Sequence, residues 1–230
     1  NGVQSNLFFK KDVTKPEYFK DKFVIVMSGR FSHEKNQIML LKAVKNSKYE
    51  SVIQIILAGD GPTKEKLYKY SIKNLTNTPI MKHYEHESLS DVLNTCDLYA
   101  HTSIAEIEAI SCLEALACGL VPVISDSSKS ATSKFSLRKE SSYNHKSVKD
   151  LTNKIDYWIE HPQERKKASI EYIEFAKQFD FNICMDKMEE MLFIEPIDPS
   201  VERWVGKKMT KEEAKEVSGV ETISVIDNLQ

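Results

Sequence analysis

The stretch FVIVMSG, Phe23 to Gly29, decides the fold. Its apolar residues run on without alternation, which suits a strand covered on both faces, as in a parallel sheet. A helical pattern follows through Ile38, Leu40, Leu41 and Val44. VIQIILAGDGP, Val52 to Pro62, repeats the theme as a second strand closing in a turn. Pro62 suits the start of the next helix, where a missing N–H costs nothing. That helix continues through Leu67, Tyr70, Ile72 and Leu75. TPIMKHY, LYAHTS and VPVIS read as three more strands, with helices at ESLSDVLNTC and at Ile107 to Cys118. Strands alternating with helices at this spacing imply right-handed crossovers, and so an α/β fold with a doubly wound, parallel, Rossmann-like sheet. Beyond Ser147 the pattern turns helical as far as Phe193, giving extra C-terminal helices. Two regions are expected: residues 1–193 as one domain, and 194–230 as a charged, loosely attached tail with one helix around TKEEAKEV. Trp204 and Lys207-Lys208 are expected to belong to that solvated tail.

The bulk properties narrow the function. The chain has 230 residues, long enough to bury a real core. Its net charge of −2 supplies no basic field for nucleic acid. Cys96, Cys112, Cys118 and Cys184 follow no metal or redox spacing and read as reduced thiols. No apolar stretch approaches membrane-span length, and the N-terminus does not read as a signal peptide. Starting at Asn1-Gly2-Val3, the chain reads as a piece of something longer.

In an open α/β sheet, ligands bind outside the carboxyl ends of the strands. Those ends fall at SGRFSHEKN, AGDGP, HTSIAEIEA and ISDSSKSAT, where glycine and charge gather. In the first, Arg30 and Lys35 follow Gly29, and a guanidinium fork with a mobile ammonium suits an anion such as a diphosphate. Taken alone they fit equally a solvated basic loop with Glu34 paired locally. Gly59 and Gly61 could let a ligand approach the backbone closely, or could simply turn the chain. The sharpest signal is AEIEAISCLEALACGL, Ala105 to Leu120. Its helix is apolar nearly all round, yet carries Glu114 on the face of Ile107 and Ile110, with Glu106 just ahead. A buried carboxylate needs partners. They could be ligand hydroxyls, or a basic residue for one glutamate and the helix start for the other.

Together, SGRFSHEKNQIMLLKAV, LAGDGP and HTSIAEIEAISCLEALACGLVPVIS resemble, in order and spacing, the C-terminal, donor-binding domain of retaining nucleotide-sugar glycosyltransferases of the two-Rossmann-domain (GT-B) type. The resemblance covers Asn1 to Leu192. SHEKNQ, AEIEAISCLEA and SATSKFSL are most similar to bacterial lipid α-glucosyltransferases acting on diacylglycerol or a sterol. It implies that Arg30 and Lys35 hold the donor diphosphate. Glu106 and Glu114, with seven residues between them, match the family's glutamate pair, for the sugar hydroxyls and the ribose respectively. Backbone amides from Ile107 through Glu108 and Ala109 to Ile110 would meet the distal phosphate or sugar, and Gly29, Gly59 and Gly61 would line the donor site. Arg30, Lys35 and Glu106 would carry the catalysis. It also implies transfer of a hexose, glucose from UDP-glucose, to a lipid or polysaccharide acceptor with retention, without a metal or other cofactor. The chain has no Asp-x-Asp motif.

Two departures stand out. Where many members have glycines and an aromatic after the first glutamate, this chain has Ile107-Glu108-Ala109-Ile110, so Glu108 could share the role of Glu106. The family's N-terminal half, which binds acceptor and contacts the membrane, has no counterpart in this sequence. None of the six histidines takes over that half's catalytic histidine, although His33 and His101 fall near the crevice. The expected partners are therefore a nucleotide-sugar donor and an N-terminal acceptor domain, with no nucleic acid. The expected location is the cytoplasm, at the inner face of a membrane. A non-catalytic nucleotide-sugar-binding module working with a separate acceptor subunit is the alternative. A Rossmann oxidoreductase is disfavoured because Gly29 stands alone after the first strand.

Overall fold

A computed structural model describes residues 2–193. The expected tail helix and the tail positions Trp204, Lys207 and Lys208 lie outside them. The chain divides into two units, Asn1–Met185 and Asp186–Gln230. The first unit holds one six-stranded parallel sheet. Its strands are β1 (Phe23–Ser28), β2 (Ile53–Ala58), β3 (Ile80–Lys82), β4 (Leu98–His101), β5 (Pro122–Ser125) and β6 (Ser142–Tyr143), in the order β3-β2-β1-β4-β5-β6. The helices are α1 (Gln37–Lys45), α2 (Lys64–Asn74), α3 (His86–Thr95), α4 (Ile110–Ala117), α5 (Val148–Glu160), α6 (Pro162–Lys177) and α7 (Phe181–Phe193). Among the described residues none is long and apolar enough to cross a membrane.

The doubly wound fold read from the sequence is the fold observed. In β1, Val24 to Ser28 are all buried, because helices cover both faces of the central strands. On one side α1 meets α5, where the Thr152 hydroxyl donates to the Ala43 carbonyl at 2.9 Å. On the other, α4 packs on α6, where the Ser169 hydroxyl donates to the Gly119 carbonyl at 2.6 Å. Trp158 is fully buried and its indole N–H donates to the Glu140 carbonyl. Cys96, Cys112 and Cys118 are buried and unbridged, and burial pushes the Cys118 thiol up to about 12. They are packing residues.

Three local expectations need correction. The sixth strand, β6, is two residues long at the sheet edge, too short for a pattern. The second crossover helix begins at Lys64 behind Thr63, so Pro62 stands ahead of it. The fourth begins at Ile110, not Ile107, so Ile107, Glu108 and Ala109 form a loop and Ile107 is 87% exposed.

The strand order reverses direction between β1 and β4, which lie side by side with Ile25 opposite Leu98. Chain leaving two such strands must diverge to opposite faces, and a crevice opens between them.

Candidate functional site

The rim of the crevice is built by backbone. The Gly29 amide donates to the Ala58 carbonyl at 2.9 Å, Phe31 to Asp60 at 2.8 Å, and Gly59 to Lys82 at 2.8 Å. The loops after β1 and β2 are therefore tied to one another, and the second is anchored to the end of β3. A Cβ at Gly59 would lie 2.1 Å from the Gly29 carbonyl oxygen, and one at Gly61 2.5 Å from that of Phe31. The close approach these glycines permit is thus between two loops of the chain itself, and only Gly59 also lines the crevice.

Behind this rim lies a cleft of about 400 Å³. Gly29 and Arg30 enter it from the β1 loop, Gly59 from the β2 loop, and Ser111 and Glu114 from α4. Arg30 is exposed, and its guanidinium makes no hydrogen bond or salt bridge with a described residue. Its loop is fixed from below, where Gln37, buried in α1, donates to the Arg30 carbonyl at 2.8 Å. Glu34 makes no ion pair with Arg30: its carboxylate accepts from the Ser32 hydroxyl at 2.6 Å, which lowers its pKa, with the charges of Lys35 and Arg30 adding to the effect from farther off.

Glu114 is 8% exposed and makes no hydrogen bond or ion pair among the described residues. Burial raises its pKa, with His86 pulling weakly the other way. The reading in which a basic residue satisfies Glu114 inside the fold therefore fails. A carboxylate kept in that state costs stability, and its one open side is the cleft.

A second hollow, about 490 Å³, adjoins the first and shares Ser111 with it. Lys35, Glu106 and Ile107 to Ile110 line it. Here the ion pair does exist: the Lys35 ammonium is bonded to the Glu106 carboxylate, with both side chains less than a fifth exposed. Glu106 is also held by its backbone. Its N–H donates to the Lys129 carbonyl at 3.1 Å, and its own carbonyl accepts from the Ala131 N–H at 2.9 Å. The loop after β5 thereby fixes the first glutamate, while α4 fixes the second. Neither caps α4, because the N-cap residue is Ala109.

Ala109 has φ 51° and ψ 49°, a left-handed conformation that an L-alanine adopts at a cost. Ala109→Gly is expected to stabilise the fold by about 1 kcal/mol, the scale of that cost less the extra chain entropy of glycine. Urea denaturation at neutral pH measures it, and a loss of stability would contradict the assigned backbone.

Of the residues expected to form a site, Arg30, Gly29, Gly59 and Glu114 line one hollow, and Lys35, Glu106, Ile107, Glu108, Ala109 and Ile110 the other. Gly61 lies outside both. Sequence reasoning missed His83, Tyr84 and His86, which line the first cleft from the carboxyl end of β3. The rule that located the other loops applies equally to β3 and would have found them. Among the described residues no group of three or more His, Cys, Asp or Glu could hold a metal ion.

A doubly wound parallel sheet with a basic loop and two carboxylates gathered at its switch point has its ligand crevice where folds of this class have theirs. The chain belongs to the Glycosyl transferases group 1 family, whose model matches residues 8–174. A second match, to the Aminopeptidase P, N-terminal domain, covers residues 175–230, of which 175–193 are described. The catalytic domain of cholesterol-α-glucosyltransferase from Helicobacter pylori is 40% identical, with a TM-score of 0.63 over 68% of this chain and 99% of that one. HepE from Anabaena, solved with UDP and glucose, shares the fold at 22% identity and a TM-score of 0.72, over 84% of this chain and 55% of that one. The phosphatidylinositol N-acetylglucosaminyltransferase GPI3 subunit of Saccharomyces cerevisiae (strain RM11-1a) is 30% identical over 132 residues, 54% of this chain and 28% of that protein. The chain spans about a quarter of the length of the curated relatives it matches.

Proposed function

We propose that this chain is the donor-binding half of a retaining glycosyltransferase that moves glucose from UDP-glucose to a lipid acceptor, with a polysaccharide as the other acceptor class. The observation that carries the reading is the pairing, in one cleft, of a buried carboxylate and a guanidinium, neither of which makes a hydrogen bond or ion pair among the described residues. A nucleoside diphosphate answers both: ribose hydroxyls donate to Glu114, and phosphate oxygens accept from Arg30. The adjoining hollow takes the sugar, with Glu106 accepting from its hydroxyls and Lys35 turning to the diphosphate. Arg30 and Lys35 then offset the charge that builds on the departing nucleotide, which supplies most of the rate enhancement without a metal. The acceptor attacks from the leaving-group side, so the anomeric configuration is retained without a protein nucleophile. An N-terminal partner domain supplies the acceptor site and the contact with the cytoplasmic face of a membrane. The H. pylori relative's named sterol acceptor and the UDP and glucose of the HepE structure support this reading.

The test is calorimetric titration of the chain with UDP, UDP-glucose, GDP and NAD, each with and without EDTA. Micromolar affinity for the two uridine ligands, unaffected by EDTA and weaker for GDP and NAD, is the expected result. No heat with UDP or UDP-glucose would overturn the donor assignment.

A further inference from the structure

Beneath the two hollows lies a row of buried polar side chains that the proposed donor contacts do not use. His101, the last residue of β4, is 0% exposed, and its Nε2 has no hydrogen-bond partner. That nitrogen lies 3.7 Å from Oε2 of Glu106. On the other side of the ring, Nδ1 is 3.5 Å from the Tyr99 hydroxyl, and the two rings stack at 28°. The Tyr99 hydroxyl is in turn 3.3 Å from Ser28 Oγ and 3.4 Å from Ser111 Oγ. Ser28 and Ser111 line the first cleft, and Ser111 also lines the second. The row therefore runs from under one hollow to the carboxylate of the other.

We infer that His101 is a positioning residue for Glu106: its Nε2–H takes over the carboxylate when Lys35 leaves it for the donor diphosphate, keeping Glu106 aimed at the sugar. The inference rests on the donor site proposed above. A ring nitrogen that faces a carboxylate oxygen carries the proton, since a lone pair there would be repelled. Nδ1 is then the acceptor, facing the Tyr99 hydroxyl, whose single proton is shared between it and Ser111 Oγ. The ring cannot serve as a cation, because burial, reinforced by Lys35, lowers its pKa to about 3. It is a neutral donor whose partner stands a few tenths of an ångström beyond hydrogen-bond range. While Lys35 is bonded to Glu106, the carboxylate is satisfied and His101 is idle. Once Lys35 departs, water in the open hollow can serve the carboxylate while UDP alone is bound, and His101 is what keeps it turned toward a sugar that fills the hollow.

Two near-isosteres separate the ring nitrogens. The amide nitrogen of His101→Gln falls near the Nε2 position, whereas the side chain of His101→Asn reaches only the Nδ1 position. Dissociation constants for UDP and UDP-glucose are measured for the wild type and both variants from pH 5.5 to 8.5, with urea midpoints as the control on folding. His101→Asn is expected to leave the UDP constant within about twofold while weakening UDP-glucose about tenfold, the scale of one hydrogen bond to a charged group. His101→Gln is expected to restore most of that loss. The ratio of the wild-type UDP-glucose and UDP constants is expected to show no histidine step across this pH range, because His83 and His86 line the cleft common to both ligands and only His101 faces Glu106. Equal weakening of both ligands in His101→Asn, no sugar-specific loss, or failure of Gln to differ from Asn would overturn the inference. If the wild type binds no UDP, the donor site itself is wrong and the inference falls with it.

Discussion

Glu114→Gln is expected to weaken UDP binding by about 1–3 kcal/mol, the scale for a hydrogen bond to a charged group, while making the fold more stable at neutral pH. Both halves follow from one carboxylate that is 8% exposed and unpaired. Burial raises its pKa in the folded chain above the ordinary 4.5. A carboxyl group of that kind contributes stability as its neutral form, fully present below pH 4.5 and lost as pH rises through the folded value. At pH 8 the wild type holds an ionised group in a site that disfavours it, and the neutral amide removes that burden. Urea denaturation is therefore expected to favour the variant at pH 8, with the difference closing below about pH 4.5. A variant that unfolds readily while nucleotide makes no difference would identify Glu114 as a structural residue. A carboxylate that costs stability and strengthens binding is the signature of a group kept for a ligand.

Glu106→Gln should split two ligands that most substitutions would move together. In the free protein the Lys35 ammonium is bonded to Glu106, and a phosphate must compete for it. Deleting the carboxylate charge frees Lys35, so UDP is expected to bind more tightly, by about 1 kcal/mol for a partly exposed pair. UDP-glucose gains the same phosphate term but loses the charged acceptor for its sugar hydroxyls, worth about 1.5–3 kcal/mol. The net expectation is a tighter diphosphate and a weaker nucleotide sugar. Calorimetry on both ligands decides it, and parallel shifts in the two constants would place Glu106 outside the sugar hollow.

Legibility differed from element to element for physical reasons. β1 could be read because burial on both faces leaves its apolar run unbroken from Val24 to Met27, and β2 because only the half-buried Gln54 interrupts its own. Glu114 stood out because a carboxylate amid Cys112, Leu113, Ala115 and Leu116 breaks the composition of its helix. The start of that helix was misread because Ile107 and Ala109 are as apolar as the helix they precede. The break is a left-handed alanine, which no periodicity marks. The Lys35–Glu106 pair joins residues 71 apart, so it exists only once β1 and β4 lie side by side. His101 looked like an ordinary strand-end histidine, and only the Tyr99 hydroxyl behind it and Glu106 ahead of it distinguish it.

The ties between the loops after β1 and β2 also bear on how such a domain can diverge. With Gly59 and Gly61 seated against the backbone of Gly29 and Phe31, the rim is heritable only as a block. Transplanting one loop from a relative would set its carbonyls against neighbours shaped for another chain. Variation in preference must then enter through interchangeable side chains, on α4 and at the foot of α3, while the interlocked main chain passes on unaltered. A breeder of new specificities would leave the rim alone and shuffle the residues that look across it.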